Sequence, residues 1–208
     1  SAASGVMNPS TVLAFLHIYK SKKHGGIINS AAASALGRML NRICKSENIP
    51  LVNIVWKQKE VDLLRSEGAE HVILTEGDWQ PAYKQLVSKF KLNLLFVSLG
   101  GGEVTQKLID GLELPASVYI YGKLTGGAFS ISEGSYFLLG LSVCGFFIGT
   151  WLNSLSAEER KEIFSHFSRH LKGDLSTTTY KELHFKDIKE ALELSVTHAD
   201  LGKILLLP

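Results

Sequence analysis

The sequence has few cysteines, no excess of either charge and no apolar stretch long enough to cross a membrane. Its 208 residues carry 22 basic and 20 acidic side chains, a formal net charge of +2. That balance provides no electrostatic footprint for nucleic acid or an anionic membrane surface, so we expect neither partner. The apolar run 136–152 comes closest to a membrane span, but three glycines interrupt it. A buried strand with a preceding helix explains this run better.

No cluster of cysteine and histidine in the sequence has the spacing of zinc ligands. Cys44 and Cys144 lie in apolar surroundings on a predicted helix and a predicted strand. Buried thiols in a reducing compartment are the main interpretation, and a disulfide between the two is the alternative. His166 and His170 stand four apart on one predicted helix, a spacing that permits metal binding, but no third ligand is near in sequence. We therefore expect no zinc.

The start of the sequence has no basic segment followed by an apolar one, so secretion is not indicated. We expect a location in the cytoplasm or the mitochondrial matrix. An organellar targeting peptide that has been removed stays open as an alternative.

Apolar runs alternate with helical patterns along most of the chain. Strands are predicted at about 26–30, 51–56, 71–74, 93–98, 116–121 and 142–148. Helices are predicted at about 34–46, 58–66, 79–90, 102–112 and 132–139. Strands that alternate with helices imply right-handed crossovers. The pattern therefore predicts an α/β fold with a doubly wound, parallel, six-stranded sheet of the Rossmann type.

Further helices flank this alternation. Asn8 followed by Pro9 predicts the start of an N-terminal helix, with Asn8 as its cap. Ser156 and Glu159 form a capping box ahead of another amphipathic helix.

The last part of the sequence predicts a return segment of strand, helix and strand. These elements are expected at about 176–185, 187–197 and 204–207. We therefore expect a nucleotide-binding Rossmann domain over 8–174 and a C-terminal return segment over 175–208 that packs on it.

A turn of small residues joins the first predicted strand to the next helix. Set against the Gly-x-Gly-x-x-Gly dinucleotide fingerprint, its three positions are Ala32, Ser34 and Gly37. Gly37 suits close packing of helix on strand, whereas Ala32 and Ser34 suit the turn only if neither needs positive φ. We predict that backbone N–H groups of Ser34, Ala35 and Leu36 bind a pyrophosphate at the helix N-terminus. Packing without a ligand is the alternative, and Ser34 is also a candidate helix cap.

The end of the second predicted strand bears on the choice between NAD and NADP. An NAD site usually has Asp or Glu there, on the ribose 2′-hydroxyl, and this chain has no acid before Glu60. Lys57 and Lys59 instead suit a 2′-phosphate, which favours NADP over NAD. The alternative is a pair of solvated lysines at a helix start. Trp56 either stacks on adenine or covers the sheet.

Glycines also follow the fourth and fifth predicted strands. Gly100 lies after the fourth strand, and Tyr121 and Gly122 end the fifth. Ligands of doubly wound sheets bind at the carboxyl ends of strands, where glycine lets a cofactor approach the backbone. We expect these residues to line the ribose and nicotinamide side. Ordinary turn chemistry is the alternative for each.

Several segments, in this order, resemble the medium-chain dehydrogenase/reductase superfamily on its zinc-free quinone oxidoreductase and 2-enoyl thioester reductase side. They are Asn8-Pro9-Ser10-Thr11, the turn 31–37, the passage 63–73 with its Gly-Ala-Glu-His-Val-Ile sequence, 117–124, Gly145-Phe146-Phe147 and 202–205. The resemblance implies an NADP-dependent enzyme that moves a hydride to an activated double bond or a quinone. It implies Phe147 as a further cofactor-binding residue.

Some positions depart from the family pattern or are open to two interpretations. Ser34 stands where the family usually has Gly, and Trp56 stands where related reductases often carry Arg. Lys203 matches family lysines near the cofactor but is equally well a surface lysine. His71 matches the family sequence and is expected to make a structural contact.

Members of that superfamily carry an N-terminal catalytic domain before the Asn-Pro helix, and this sequence begins almost at that helix. Its catalytic residues are therefore unknown, since nothing directs Tyr136, Tyr180 or His184 to a substrate. The alternatives are a non-catalytic Rossmann module and an expressed fragment of a longer enzyme. The resemblance also implies a homodimer formed through the strand at 142–148.

Overall fold

The structure is a computed structural model that describes residues 6–124, 128–129, 131, 134, 137, 140–170, 173–198 and 201–208. Within 166–169 it describes the backbone alone. The helix predicted at 132–139 therefore lies largely outside the described residues, as does Tyr136.

A six-stranded parallel sheet forms the centre of the structure. Its strands are β1 Ile27–Asn29, β2 Leu51–Val55, β3 His71–Leu74, β4 Leu94–Val97, β5 Ala116–Ile120 and β6 Leu141–Gly145. They lie in the order β3-β2-β1-β4-β5-β6, with every neighbouring pair parallel. This confirms the predicted doubly wound sheet. The strand order reverses between β1 and β4, which is where such a sheet opens a crevice at its carboxyl edge.

Helices cover both faces of the sheet. In chain order they are α1 Met7–Ser21, α2 Ala35–Ser46, α3 Gln58–Ser66, α4 Gln80–Phe90, α5 Glu103–Asp110, α6 Ile148–Ser154, α7 Ala157–His170 and α8 Ile188–Thr197. Across the described ranges, none of them has both the length and the apolar character needed to cross a membrane.

Three clusters of buried apolar residues hold these layers together, and two of them are large. On one face, α1 and α2 pack on the sheet, and the ring of Phe15 stacks on Phe96 with centroids 3.6 Å apart. On the other face, α4 and α5 pack on the same strands, and the buried Tyr83 hydroxyl donates to the Leu108 carbonyl at 2.7 Å. Strands β1 and β4 are buried on both sides. This explains the unbroken apolar sequence of β4, whereas β1 ends on the buried polar Asn29.

The N-terminal helix starts earlier than predicted. Asn8 was expected as its cap, but α1 already begins at Met7 and its N-cap residue is Val6. Pro9 is therefore the third helical residue. The first four N–H groups of a helix have no intrahelical acceptor, so a proline at this position costs no hydrogen bond.

The sixth strand ends earlier than the predicted span of 142–148. Gly145 pairs with Ile120, the last residue of β5, and the Phe146 amide makes the final bond to the Ile120 carbonyl at 2.8 Å. Because β5 ends there, the chain has no further partner and turns into α6. Phe147 is thus the N-cap residue of that helix and not a strand residue.

The return segment forms the strand, helix and strand that its sequence predicts. β7 Thr179–His184 and β8 Lys203–Leu207 form a separate two-stranded parallel sheet, with α8 between them in sequence. β7 starts three residues later than predicted, because the backbone before it bonds to α2 instead. There the Arg42 guanidinium donates to the carbonyls of Asp174 at 3.0 Å and Ser176 at 2.8 Å.

The Arg42 contacts give a testable prediction about the return segment. We expect Arg42→Met to lower the free energy of opening of this segment by about 1.5–3 kcal/mol, because charge-assisted hydrogen bonds are lost. Hydrogen exchange of the amides in 179–184 measures the effect. Arg65→Met, which changes an exposed arginine of α3, is the control. Unchanged exchange in Arg42→Met would contradict this role.

Candidate functional site

Ala32 and Ser34 suit the turn between β1 and α2 only if neither has positive φ, and the structure meets this condition. Ser34 has φ −66° and ψ 161°, and among the described residues positive φ at non-glycine positions is confined to Lys23, Asn48 and Lys91. Ala32 and Ser34 therefore fit this turn without being glycine. The Ser34 Oγ accepts a hydrogen bond from the Gly37 amide at 3.1 Å, so Ser34 caps α2.

Gly37 is required by the close approach of α2 to the turn. A Cβ atom at this position would lie 2.4 Å from the Ala32 carbonyl oxygen and 2.5 Å from that of Ala31. Both obstacles are backbone atoms, which have little freedom to move aside. The helix is thus seated directly on the turn, and the first-turn amides of Ala35 and Leu36 have no helical acceptor. Such amides attract anions.

Two clefts meet at this helix N-terminus. One has a volume of about 410 Å³ and lies towards the end of β2, and the other has about 420 Å³ and lies towards the ends of β4 and β5. They share four lining residues, namely Ser34, Ala35, Leu124 and Lys203. The two clefts together form a crevice along the carboxyl edge of the sheet, at the point where the strand order reverses.

The cleft beside β2, here called the β2 cleft, combines small residues with basic ones. Ala31, Ala32 and Ala33 form one wall, and Trp56, Lys57 and Lys59 form part of another. Glu60 also lines it, but its carboxylate accepts a hydrogen bond from the Trp56 amide at 3.2 Å. Lys57 is exposed at the start of α3. An anionic group bound in this cleft would therefore have the Lys57 ammonium within its wall.

The cleft beside β4 and β5, here called the β5 cleft, has Tyr121 in its lining. The Tyr121 hydroxyl donates to the Asn29 Oδ1 atom at 3.0 Å. Burial raises the pKa of Tyr121 above its ordinary value, and a hydrogen bond with Ser98 lowers it by less. The phenol is therefore neutral at physiological pH and held in one orientation.

Most of the predicted site residues lie in this crevice. Its lining includes Ser34, Ala35, Leu36, Trp56, Lys57, Tyr121, Gly122 and Phe147. Gly37 lies behind the turn, and Gly100 lies outside the lining, where its carbonyl accepts from the Thr105 hydroxyl at 2.9 Å. Contact between Gly100 and a ribose stays a prediction.

Other lining residues were not predicted as binding residues. Thr11 and Asn8 reach the β5 cleft from α1, and Val196 and Thr197 reach the β2 cleft from α8. The Asn-Pro-x-Thr sequence was a signal for the first pair. No local pattern indicates the second pair, because the packing of the return segment brings it there. Lys203 lines both clefts, which favours the cofactor-side interpretation of this lysine over a plain surface position.

The remaining candidates lie elsewhere. Tyr180 stacks on His198 with centroids 5.5 Å apart, and the His184 Nδ1 atom is 3.1 Å from the Pro208 carbonyl oxygen. Neither is part of the crevice lining. The ring of His71 packs against Phe90 with centroids 4.9 Å apart, a structural contact of the expected kind.

Both cysteines are free thiols, and only one of them is buried. Cys44 lies in the core, where burial raises its pKa, whereas Cys144 is exposed on β6. The expectation of a buried Cys144 is therefore wrong, because β6 is an edge strand. Among the described residues no three His, Cys, Asp or Glu side chains lie close enough to hold a metal ion. The His166 side chain lies outside that set.

The curated proteins that resemble this sequence are named as enzymes of one kind, enoyl-[acyl-carrier-protein] reductases. No protein-family profile matches the sequence. The mitochondrial enoyl-[acyl-carrier-protein] reductase of Xenopus tropicalis is 25% identical over 78% of this chain and 48% of its own length. The human protein of that name is 24% identical over 94% of this chain and 54% of its own length. The chain thus spans about half the length of the curated relatives it matches.

Solved structures share the fold. A proposed NADPH:quinone reductase from Mesorhizobium loti superposes with a TM-score of 0.86 at 18% identity, covering 99% of this chain and 60% of that one. A complex of Etr1p with NADP and crotonyl-CoA gives 0.81 at 18%, with the same coverage. The mitochondrial Etr1p/Etr2p heterodimer of Candida tropicalis gives 0.80 at 17%, covering 98% of this chain and 60% of that one.

The fold and the turn at the α2 N-terminus define a Rossmann-type domain. In sequence the chain is similar to mitochondrial enoyl-[acyl-carrier-protein] reductases, and in fold it is similar to quinone and enoyl thioester reductases.

The seating of α2 on the turn can be tested by stability. We expect Gly37→Ala to lower the free energy of unfolding by about 1–3 kcal/mol, because the new methyl group collides with backbone carbonyls. Gly145→Ala is the matched control, since a Cβ there meets no atom of the described residues within 4 Å. Denaturant unfolding monitored by circular dichroism measures both variants. Equal midpoints would show that the contact at Gly37 relaxes freely.

Proposed function

We propose that this chain is the NADP(H)-binding domain of a reductase that transfers hydride to an activated double bond of an enoyl thioester, or to a quinone. The observation that carries the proposal is the meeting of two clefts at the N-terminus of α2. A dinucleotide has two nucleoside halves joined by a pyrophosphate. The crevice has the corresponding parts, with a cleft on either side of an anion-attracting helix end.

The residues of the crevice fit such a cofactor. The first-turn amides of Ala35 and Leu36 would bind the pyrophosphate, as at other helix N-termini. The Ser34 amide was also predicted to bind it, but this amide already donates to the Ala31 carbonyl at 3.1 Å. The β2 cleft would take the adenosine half, with Lys57 on the 2′-phosphate and Trp56 beside the adenine. When bound, the nicotinamide supplies the hydride.

Tyr121 would form the floor on the nicotinamide side. Its hydroxyl is committed to Asn29 and Ser98, so we assign it a positioning role and not proton donation. Phe147 is 69% exposed at the mouth of the β5 cleft. This exposure suits a residue that is covered when cofactor or substrate binds.

The activity of a whole enzyme is part of the proposal. The curated relatives are about twice as long as the stretch they share with this chain, and a proton donor for the reduced substrate is not assigned among the described residues. A module that binds NADP without turnover is the second candidate, because the Tyr121 hydroxyl in the crevice is already committed to Asn29. The relatives are named mitochondrial, which supports the mitochondrial matrix as the compartment.

We also propose a homodimer formed along β6. This strand pairs with β5 on one side, and Ser142 and Cys144 are exposed on it. An open strand edge offers unpaired backbone groups to a second chain. The heterodimer among the structural neighbours supports assembly of this fold in pairs.

Cofactor choice gives the central prediction. We expect NADPH to bind more tightly than NADH, since the exposed Lys57 in the wall of the β2 cleft would contact a 2′-phosphate. Lys57→Gln should weaken NADPH binding about tenfold, the effect of one lost charge-assisted contact, and leave NADH binding unchanged. Titration of nucleotide fluorescence measures both.

Lys84→Gln is the matched control, because Lys84 is an exposed helix lysine away from the crevice. If neither nucleotide binds below millimolar concentration, the cofactor proposal fails. If NADH binds more tightly, the role given to Lys57 is wrong.

The dimer has its own test. We expect the chain to elute as a dimer and Ser142→Lys to shift it to monomer, because a lysine on an edge strand opposes pairing. Gln85→Lys adds the same charge on exposed α4 and should leave the dimer intact. Light scattering coupled to gel filtration measures the mass. A monomer at every concentration tested would rule out the homodimer.

A further inference from the structure

A separate cavity lies at the opposite edge of the sheet, where the strands begin. It has a volume of about 220 Å³ and opens between the end of α2, the starts of β2 and β3, and the end of α4. Its lining includes Asn41, Lys45, Ile49, Gly68, His71 and Phe90. None of these belongs to the proposed cofactor crevice, so this cavity requires its own explanation.

A buried amide in the lining has an unused donor. Asn41 is 4% exposed, and its Oδ1 atom accepts from the Nδ2 of Asn53 at 3.1 Å. Within the described part of the chain, the Asn41 Nδ2 group has no hydrogen-bond partner. A buried donor without an acceptor is unfavourable and rare in folded proteins. An acceptor atom of a bound molecule would remove that cost.

A lysine lies on the same side of α2. Lys45 follows Asn41 by four residues, so both side chains lie on one helix face. The ammonium of Lys45 extends over Gly68, where a Cβ atom would come within 2.2 Å of its Nζ. Gly68 has φ +83°, which a glycine adopts without strain. No ion pair of Lys45 occurs among the described residues.

The other walls combine apolar residues such as Ile49 and Phe90 with the polar Asn48 and His71. Ile49 is buried, and the Phe90 ring packs against His71. Glu70 stands at the rim with its side chain 77% exposed, and its Oε2 atom is 4.0 Å from the His71 Nε2. The site thus combines one ammonium, one buried amide donor, the polar side chains of Asn48 and His71, and a hydrocarbon surface. The carboxylate at the rim opposes ligands of higher negative charge.

We propose that this cavity binds a small organic monocarboxylate, short-chain or aromatic. Its carboxylate lies between the Lys45 ammonium and the Asn41 amide, and its hydrocarbon part packs against Ile49 and Phe90. The size is sufficient, since an apolar cavity of about 150 Å³ holds benzene. The proposal also explains the Gly-Ala-Glu-His sequence at 68–71. Its glycine makes room for the Lys45 side chain, and its histidine forms part of the cavity wall.

The test uses the whole chain, labelled with ¹⁵N and titrated with sodium benzoate at constant ionic strength. We expect saturable amide shifts in 41–51 and 68–71, and none in the turn 31–37. Benzyl alcohol has nearly the same shape without the charge, and should bind more weakly. Inorganic phosphate should give no saturable shifts at these amides.

Variants of Lys45 identify the charge contact. Lys45→Gln should weaken benzoate binding about tenfold, as expected for a lost charge-assisted hydrogen bond. Lys45→Arg should keep most of the affinity, and Lys84→Gln is the matched control with no expected effect. Asn41→Asp keeps the acceptor for Asn53 but replaces the amide donor with a negative charge. We expect this variant to bind benzoate more weakly, because the charge repels the carboxylate.

Three outcomes would overturn the proposal. They are benzoate shifts that stay linear and scattered over the surface lysines, benzoate affinity unaltered in Lys45→Gln, and phosphate that saturates the same amides more tightly than benzoate. The proposal is independent of the cofactor proposal. NADPH titration of the same sample reports on the other edge of the sheet, so failure of one is distinguishable from failure of the other.

Discussion

The close contact between α2 and the turn before it is the constraint on which the rest of the structure depends. Gly37 lets the helix rest on the carbonyls of Ala31 and Ala32, and this fixes where the helix N-terminus points. The first-turn amides then face the place where the strand order reverses. A side chain at position 37 would push the helix away from these carbonyls, and the two clefts would then not meet at the first-turn amides.

Much of this arrangement could be predicted from the sequence, because it depends on local patterns. The alternation of apolar runs with helical periodicity predicted the sheet, and the small residues after β1 predicted the turn. Ala32 and Ser34 were acceptable substitutes for glycine only if their φ was negative. The structure confirms this at Ser34, with φ −66°, and sequence alone could not.

The rest depended on contacts between distant segments. The end of β6 is fixed by the end of β5, so the apolar sequence through Ile148 overstated its length. Val196 and Thr197 enter the crevice because Arg42 and the β7–β8 sheet position the return segment. The Oδ1 atom of Asn41 bonds to Asn53 on β2, and the Asn41 Nδ2 group has no partner among the described residues. Asn53 is a polar residue inside an otherwise apolar strand, which indicates a buried hydrogen bond, but the sequence does not identify Asn41 as its partner.

The position of Lys203 has a consequence for how the crevice forms during folding. Ser34 and Lys203 line the same two clefts, yet nearly the whole chain separates them in sequence. Contacts of such long range are entropically expensive and form late, after the local contacts around β1 and α2. In a newly synthesised chain, the N-terminus of α2 would therefore form before the return segment completes the second wall of the crevice. Binding competence is then expected to lag behind the recovery of secondary structure during refolding.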